Sequence, residues 1–152
     1  MSKQKIYPFV KWAGGKSWLI KDLDSYLPAE FKNNKIERYV EPFVGGGALL
    51  FHVLSNYDIK EVFIHDNNKE LLNTYEAIKT SLDDLIKALE NIENEYKLLS
   101  IDDRKEYFYN KRVHFNNGIL NGYNYPDVNM AAKFIFLNKT CFNGLYRGIT
   151  TS

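Results

Sequence analysis

Cysteine is almost missing from this chain. Cys141 stands alone, which excludes an internal disulfide and fits a reducing compartment. Proline is scarce too: Pro8, Pro28, Pro42 and Pro126 lie far apart, so no Pro-Pro pair occurs. Nor does one sign of charge dominate. With 20 basic and 19 acidic residues the formal net charge is +1, so no overall basic field draws the chain to nucleic acid, and any such binding must be local. No secretory leader opens the chain, and no apolar run approaches the roughly 20 residues needed to span a bilayer. A soluble, cytoplasmic protein is expected, with no metal. Aromatic residues are what is plentiful, 11 Tyr and 10 Phe in 152 residues of which 45% are hydrophobic, enough for one domain with a sizeable core. Most of these rings serve packing, although rings also stack on bases.

Periodicity orders the chain. Trp18, Leu19, Leu23 and Leu27 recur at helical spacing until Pro28 ends the pattern. A short strand is expected around Ile36 to Val40, then a glycine turn at residues 45 to 47, then an apolar helix from about Ala48 to Leu54. "EVFIHD", residues 61 to 66, reads as a second strand ending in an acid, and an Asn-capped helix follows it. Strand, glycine turn, helix, strand, helix is a βαβ unit and implies a parallel sheet. From Leu82 onward Leu85, Ile86, Leu89, Ile92, Tyr96 and Leu99 continue one helical face, and a further helix is expected from Asp102 or Asp103. "NNGILNGYNYPDVN" then reads as an Asn- and Gly-rich loop, and "MAAKFIFLNKTCFNGLYR" as a buried helix and a turn. The change from α/β to all-helical near residue 80 is the only candidate boundary.

Two glycine-rich stretches carry the chemistry. "VKWAGGKSW", residues 10 to 18, resembles a phosphate loop, but G-x-x-x-x-G-K-[ST] requires glycine where Val10 stands, and Pro8 interrupts the strand that should precede it. The nucleoside-triphosphate reading fails on both counts. "EPFVGGG" places glycines between strand and helix, where backbone approaches a ligand closely and helix N–H groups favour anionic groups. A dinucleotide fingerprint would need a third glycine where Leu50 stands. Asp66 nevertheless follows the glycines by roughly the 20 residues that place a carboxylate on ribose hydroxyls. Read alone, Asp66 is equally a helix cap, Trp12 a core residue and Lys16 a solvated lysine.

"KWAGGK", "EPFVGGG", "IHDNN" and "FLNKTCFNGLYR", in this order and spacing, resemble the Dam-like adenine-specific DNA methyltransferases, from about Tyr7 to Arg147. The resemblance implies an α/β fold: a partial Rossmann-like parallel sheet of methyltransferase type with an appended helical DNA-recognition region. Residues 1–80 would be the S-adenosylmethionine-binding portion and 81–152 the target-recognition region. It further implies S-adenosylmethionine as cofactor, with Trp12 and Lys16 at its methionine part, Phe43, Gly45 and Gly47 in the turn that holds that end, and Asp66 on the ribose. Double-stranded DNA would be the partner, met by Phe142 as a wedge, Arg147 on guanine, Asn143 beside it and Lys139 on phosphate. Lys133, Arg112, Lys111 and Arg104 are further candidates for phosphate contacts. The alternative for "FNGL" is a helix C-cap with Gly144 left-handed.

One departure matters. The family's catalytic D-P-P-Y, which accepts hydrogen bonds from the adenine amino group and stacks the flipped base, has no counterpart in a chain without a Pro-Pro pair. No catalytic residue is therefore expected here, and truncation is. A second polypeptide carrying the missing half, or the full-length parent, would complete the enzyme. The alternatives are a non-catalytic DNA-binding remnant and, more weakly, a dinucleotide-dependent oxidoreductase.

Overall fold

The computed structural model describes residues 6–12 and 17–144. Two compact units divide at Asn67 and Asn68. In the first, a 3-10 turn at Ser17–Leu19 leads into α1 (Ile20–Tyr26) and a short α2 (Ala29–Lys32). Leu27 is extended with ψ 139°, as a residue before proline must be, so helix α1 stops where Pro28 predicts. β1 (Arg38–Glu41) and β2 (Glu61–Ile64) pair in parallel, Val40 opposite Phe63, with α3 (Ala48–Asn56) as the crossover. The expected βαβ unit forms, and among the described residues its sheet has these two strands. Alternation sorts their faces: Tyr39 is buried, whereas Val40 and Phe63 point the other way and stay 65% and 56% exposed. Val44, Leu50 and Val53 join Tyr39 in the core, with Phe31 set edge-on to Tyr39 and Tyr57.

The second unit is helical: α4 (Lys69–Thr80), α5 (Leu82–Lys97), α6 (Ile101–Asn121) and α7 (Val128–Thr140), closed by a 3-10 turn at Phe142–Gly144. α7 is its centre and packs against α4, α5 and α6. Its sequence explains this: Ala131, Ala132, Phe134 and Leu137 are wholly or almost wholly buried, and the two alanines let neighbours approach. Asn73 locks α4 to the start of α7, donating to the Asp127 carbonyl at 2.9 Å and accepting from the Asp127 amide at 2.7 Å. Asp127 in turn caps α7 by accepting from Met130 N at 2.8 Å.

Two boundaries differ from expectation. α6 begins at Ile101, because Ser100 is the cap and accepts from Asp103 N at 3.2 Å. It also runs to Asn121, through the first six residues of the stretch expected to be a loop from Asn116. Tertiary packing overrides the weak propensity: Phe115 is fully buried, and a Cβ on Gly118 would fall 2.6 Å from Met130 Sδ, so glycine admits α7. No helix among the described residues is long and apolar enough to cross a membrane.

Candidate functional site

The parallel ladder runs straight into the glycine turn. Beyond β2, His65 N donates to Glu41 O at 2.9 Å and Val44 N donates to His65 O at 3.0 Å. The next amide, Gly45 N, donates to Asp66 Oδ2 at 2.9 Å. Asp66 thus stands where a further carbonyl of β2 would, and a strand-end carboxylate holds the turn. Gly45 and Gly47 take φ of 50° and 79°, which a side chain disfavours, and Gly47 caps α3.

Trp12 lies on this turn. A Cβ on Gly45 would be 2.8 Å from Trp12 Cδ1 and 3.0 Å from its Nε1, and one on Gly46 would be 3.1 Å from Trp12 Cβ and 3.4 Å from the Val10 carbonyl. The glycines are needed for the indole as much as for the backbone. Phe43, at the head of the turn, is 72% exposed. Of the expected cofactor residues, Trp12, Gly45 and Asp66 therefore come together, with Gly47 closing the turn. Lys16 lies outside the described residues. Leu50, where a dinucleotide fingerprint would have glycine, is buried in the core.

A side-chain cluster that sequence reasoning missed holds the helices next to this turn. His52 on α3 lies 2.8 Å from Asp24 on α1, Nε2 to Oδ1, and Tyr57 OH donates to the same oxygen at 2.5 Å. The Asn56 amide nitrogen lies 3.3 Å from His52 Nδ1 and donates to the His52 carbonyl at 2.8 Å. Amide N–H groups donate, so Nδ1 is the acceptor and Nε2 carries the proton toward Asp24. The bonds from His52 and Tyr57 hold the Asp24 carboxyl below its ordinary value, and the bond to Asp24 pushes Tyr57 up to about 12. No periodicity flags such a pair, because its members are 28 residues apart.

In the helical unit, Phe142 projects from the terminal turn with 85% of its surface exposed. Lys139 is exposed on the last turn of α7. Asn143 lies in the 3-10 turn, its side chain outside the described residues, as is Arg147. Gly144 has φ 73°, and its carbonyl accepts from the buried Asn138 Nδ2 at 3.2 Å. The left-handed cap and the exposed aromatic coexist. Asn138 is the signal that was available, an amide directly after the apolar run of α7. Of the further phosphate candidates, Arg112 lies over the Tyr109 ring at 4.9 Å, and Arg104 and Lys111 have polar partners within the protein. Arg104 donates to the Tyr96 and Lys97 carbonyls at 3.3 and 3.4 Å, capping α5, and Lys111 bonds Glu95 at 3.2 Å over the Tyr107 ring.

Residues 12–151 match the D12 class N6 adenine-specific DNA methyltransferase family. Similar proteins include the type II methyltransferase M.MjaIII of Methanocaldococcus jannaschii, 44% identical over 94% of this chain and 48% of its own length. The type II methyltransferase M1.LlaDCHI of Lactococcus lactis is 32% identical over 96% of this chain and 45% of itself. The DNA adenine methylase of Haemophilus influenzae is 32% identical over 95% and 44%. The chain spans about half the length of these curated relatives. With the family's match running through the Trp12 segment, the glycine turn, Asp66 and the Phe142 turn, this chain belongs to the D12 class of N6 adenine-specific DNA methyltransferases.

Proposed function

We propose that this chain supplies the donor-binding and target-recognition parts of an adenine-specific DNA methyltransferase, which moves a methyl group from S-adenosylmethionine to the adenine amino nitrogen of duplex DNA. The observation that carries the reading is the convergence of Trp12, the glycine turn and Asp66 within a family-matched chain. The residues fit this cofactor: a turn without side chains for the methionine end, the N-terminus of α3 for its carboxylate, and a strand-end carboxylate for two ribose hydroxyls. Phe43, Gly45 and Gly47 would hold the methionine end with Trp12 and Lys16. S-adenosylmethionine, when bound, supplies the electrophilic methyl group.

On this reading the two strands are part of a larger Rossmann-like sheet, residues 1–80 serve the donor and 81–152 the target. Phe142, Asn143, Arg147 and Lys139 meet DNA, in the cytoplasm. The acceptor side is the other requirement. Adenine's amino lone pair is delocalised into its ring, and the D-P-P-Y that would draw it out is not among these 152 residues. A complementary polypeptide, or the full-length parent of this chain, carrying that motif completes the site. Calorimetric titration with S-adenosylmethionine, with and without duplex DNA, tests the donor half, and binding of both ligands is expected. Tritiated methyl incorporation is expected only when a polypeptide carrying D-P-P-Y is added. Robust turnover by the chain alone would overturn this division, and affinity for DNA without any for S-adenosylmethionine would favour a DNA-binding remnant.

A further inference from the structure

Trp12 lies in sequence between two anchors, and both end on neighbouring residues of α3. Upstream, the Phe9 ring meets the Phe51 ring edge-on at 6.4 Å. Downstream, Asp24 meets His52 at 2.8 Å, reinforced by Tyr57 on the same oxygen. α3 is also the helix that the glycine turn opens, with Gly47 as its cap. Helix, turn and indole are thus tied at both chemical ends, one tie apolar and one polar. The polar tie is directional: the Asn56 amide occupies Nδ1, which fixes the imidazole tautomer and aims Nε2–H at the carboxylate.

We propose that Asp24 and His52 are positioning residues for the donor site, fixing α1 to α3 so that Trp12 stays on Gly45 and Gly46. The proposal rests on the reading of that turn as the S-adenosylmethionine site. Neither residue is needed to touch the cofactor. Cutting one end of a closed segment frees its chain entropy. The indole then samples positions away from the turn, and affinity falls by the fraction of molecules that are no longer competent.

The test uses the full chain in a Trp18→Phe background, where Trp12 is the remaining tryptophan of the two. Asp24→Ala and His52→Ala are each expected to weaken S-adenosylmethionine binding about 5- to 20-fold and to raise acrylamide quenching of Trp12. His52→Gln, whose amide keeps a donor toward Asp24, is expected to bind within about twofold of the parent. Tyr57→Phe removes one of the two bonds to Asp24 and should fall between, which keeps the test open if Asp24→Ala fails to fold. Circular dichroism checks that every compared variant is folded at the working temperature. Unchanged Trp12 quenching in a folded Asp24→Ala variant overturns the proposal, as does equal loss of affinity in His52→Gln and His52→Ala. If the parent chain does not bind S-adenosylmethionine, the donor reading fails instead, and the quenching series alone decides the positioning role.

Discussion

The Asp66 carboxylate accepts the Gly45 amide at 2.9 Å, one step past the last backbone rung between β1 and β2. One side chain therefore shapes the turn and, on the proposed reading, also meets the ligand, and substitutions can separate the two roles. Asp66→Ala removes both and should weaken S-adenosylmethionine binding by about 1–3 kcal/mol, roughly 5- to 150-fold. Asp66→Asn keeps an oxygen for Gly45 but offers fewer acceptors to two hydroxyls. It should melt like the parent and still bind more weakly. Equal affinity of all three proteins by calorimetry would remove Asp66 from the donor site.

Gly45 meets two constraints at once, a φ of 50° and an indole against its α-carbon. Gly45→Ala should destabilise the first unit by about 1–3 kcal/mol in denaturant titrations. In a Trp12→Ala background the steric part vanishes, leaving only about 1–2 kcal/mol for the left-handed backbone. An undiminished penalty there would mean that Trp12 does not rest on the turn in solution.

For the Phe142 turn, if it meets DNA as proposed, the expected signature is loss of binding without loss of stability. Phe142 is so exposed that Phe142→Ala should leave the melting temperature unchanged while lowering affinity for the preferred duplex. Arg147→Ala should cost about 1–3 kcal/mol on that duplex and little on random sequence, as a base-edge contact requires. Equal losses on both duplexes, measured by fluorescence anisotropy, would assign Arg147 to phosphate.

The Asp24 cluster makes stability depend on pH at both extremes. A carboxyl held below its ordinary value of 3.8 by His52 and Tyr57 stabilises the fold above that value and loses the contribution as pH falls through its lower folded value. Tyr57 works in the opposite sense. Raised from 10.0 to about 12 by its bond to Asp24, it stabilises below 10.0 and loses that contribution as pH climbs toward 12. Urea midpoints should therefore fall less steeply in acid for Asp24→Asn and less steeply in alkali for Tyr57→Phe than for the parent. Parallel curves would show that the cluster is open in solution.

Local signals made the βαβ unit legible: Pro28 stops α1, three glycines separate β1 from α3, and Asn68 caps α4. The spacing from the glycines to Asp66 assigned both to one site, although not the bond that joins Asp66 to Gly45. What stayed hidden depends on long-range contact. Gly118 and its asparagine neighbours read as a breaker until Met130 is seen filling the space, and α4 follows α3 and β2 in sequence yet packs on α7. Family likeness put Trp12 and the glycine turn at one end of the cofactor, but their direct contact stayed hidden, since periodicity carries no information about a contact between two loops.

Val40 and Phe63, side by side on the open face of a two-stranded sheet, bear on the life of this chain in a cell. A parallel pair of strands is marginal by itself, and exposed apolar side chains on strands with unpaired rims are what chaperones and proteases engage. Turnover in vivo is therefore expected to follow how far that face stays open.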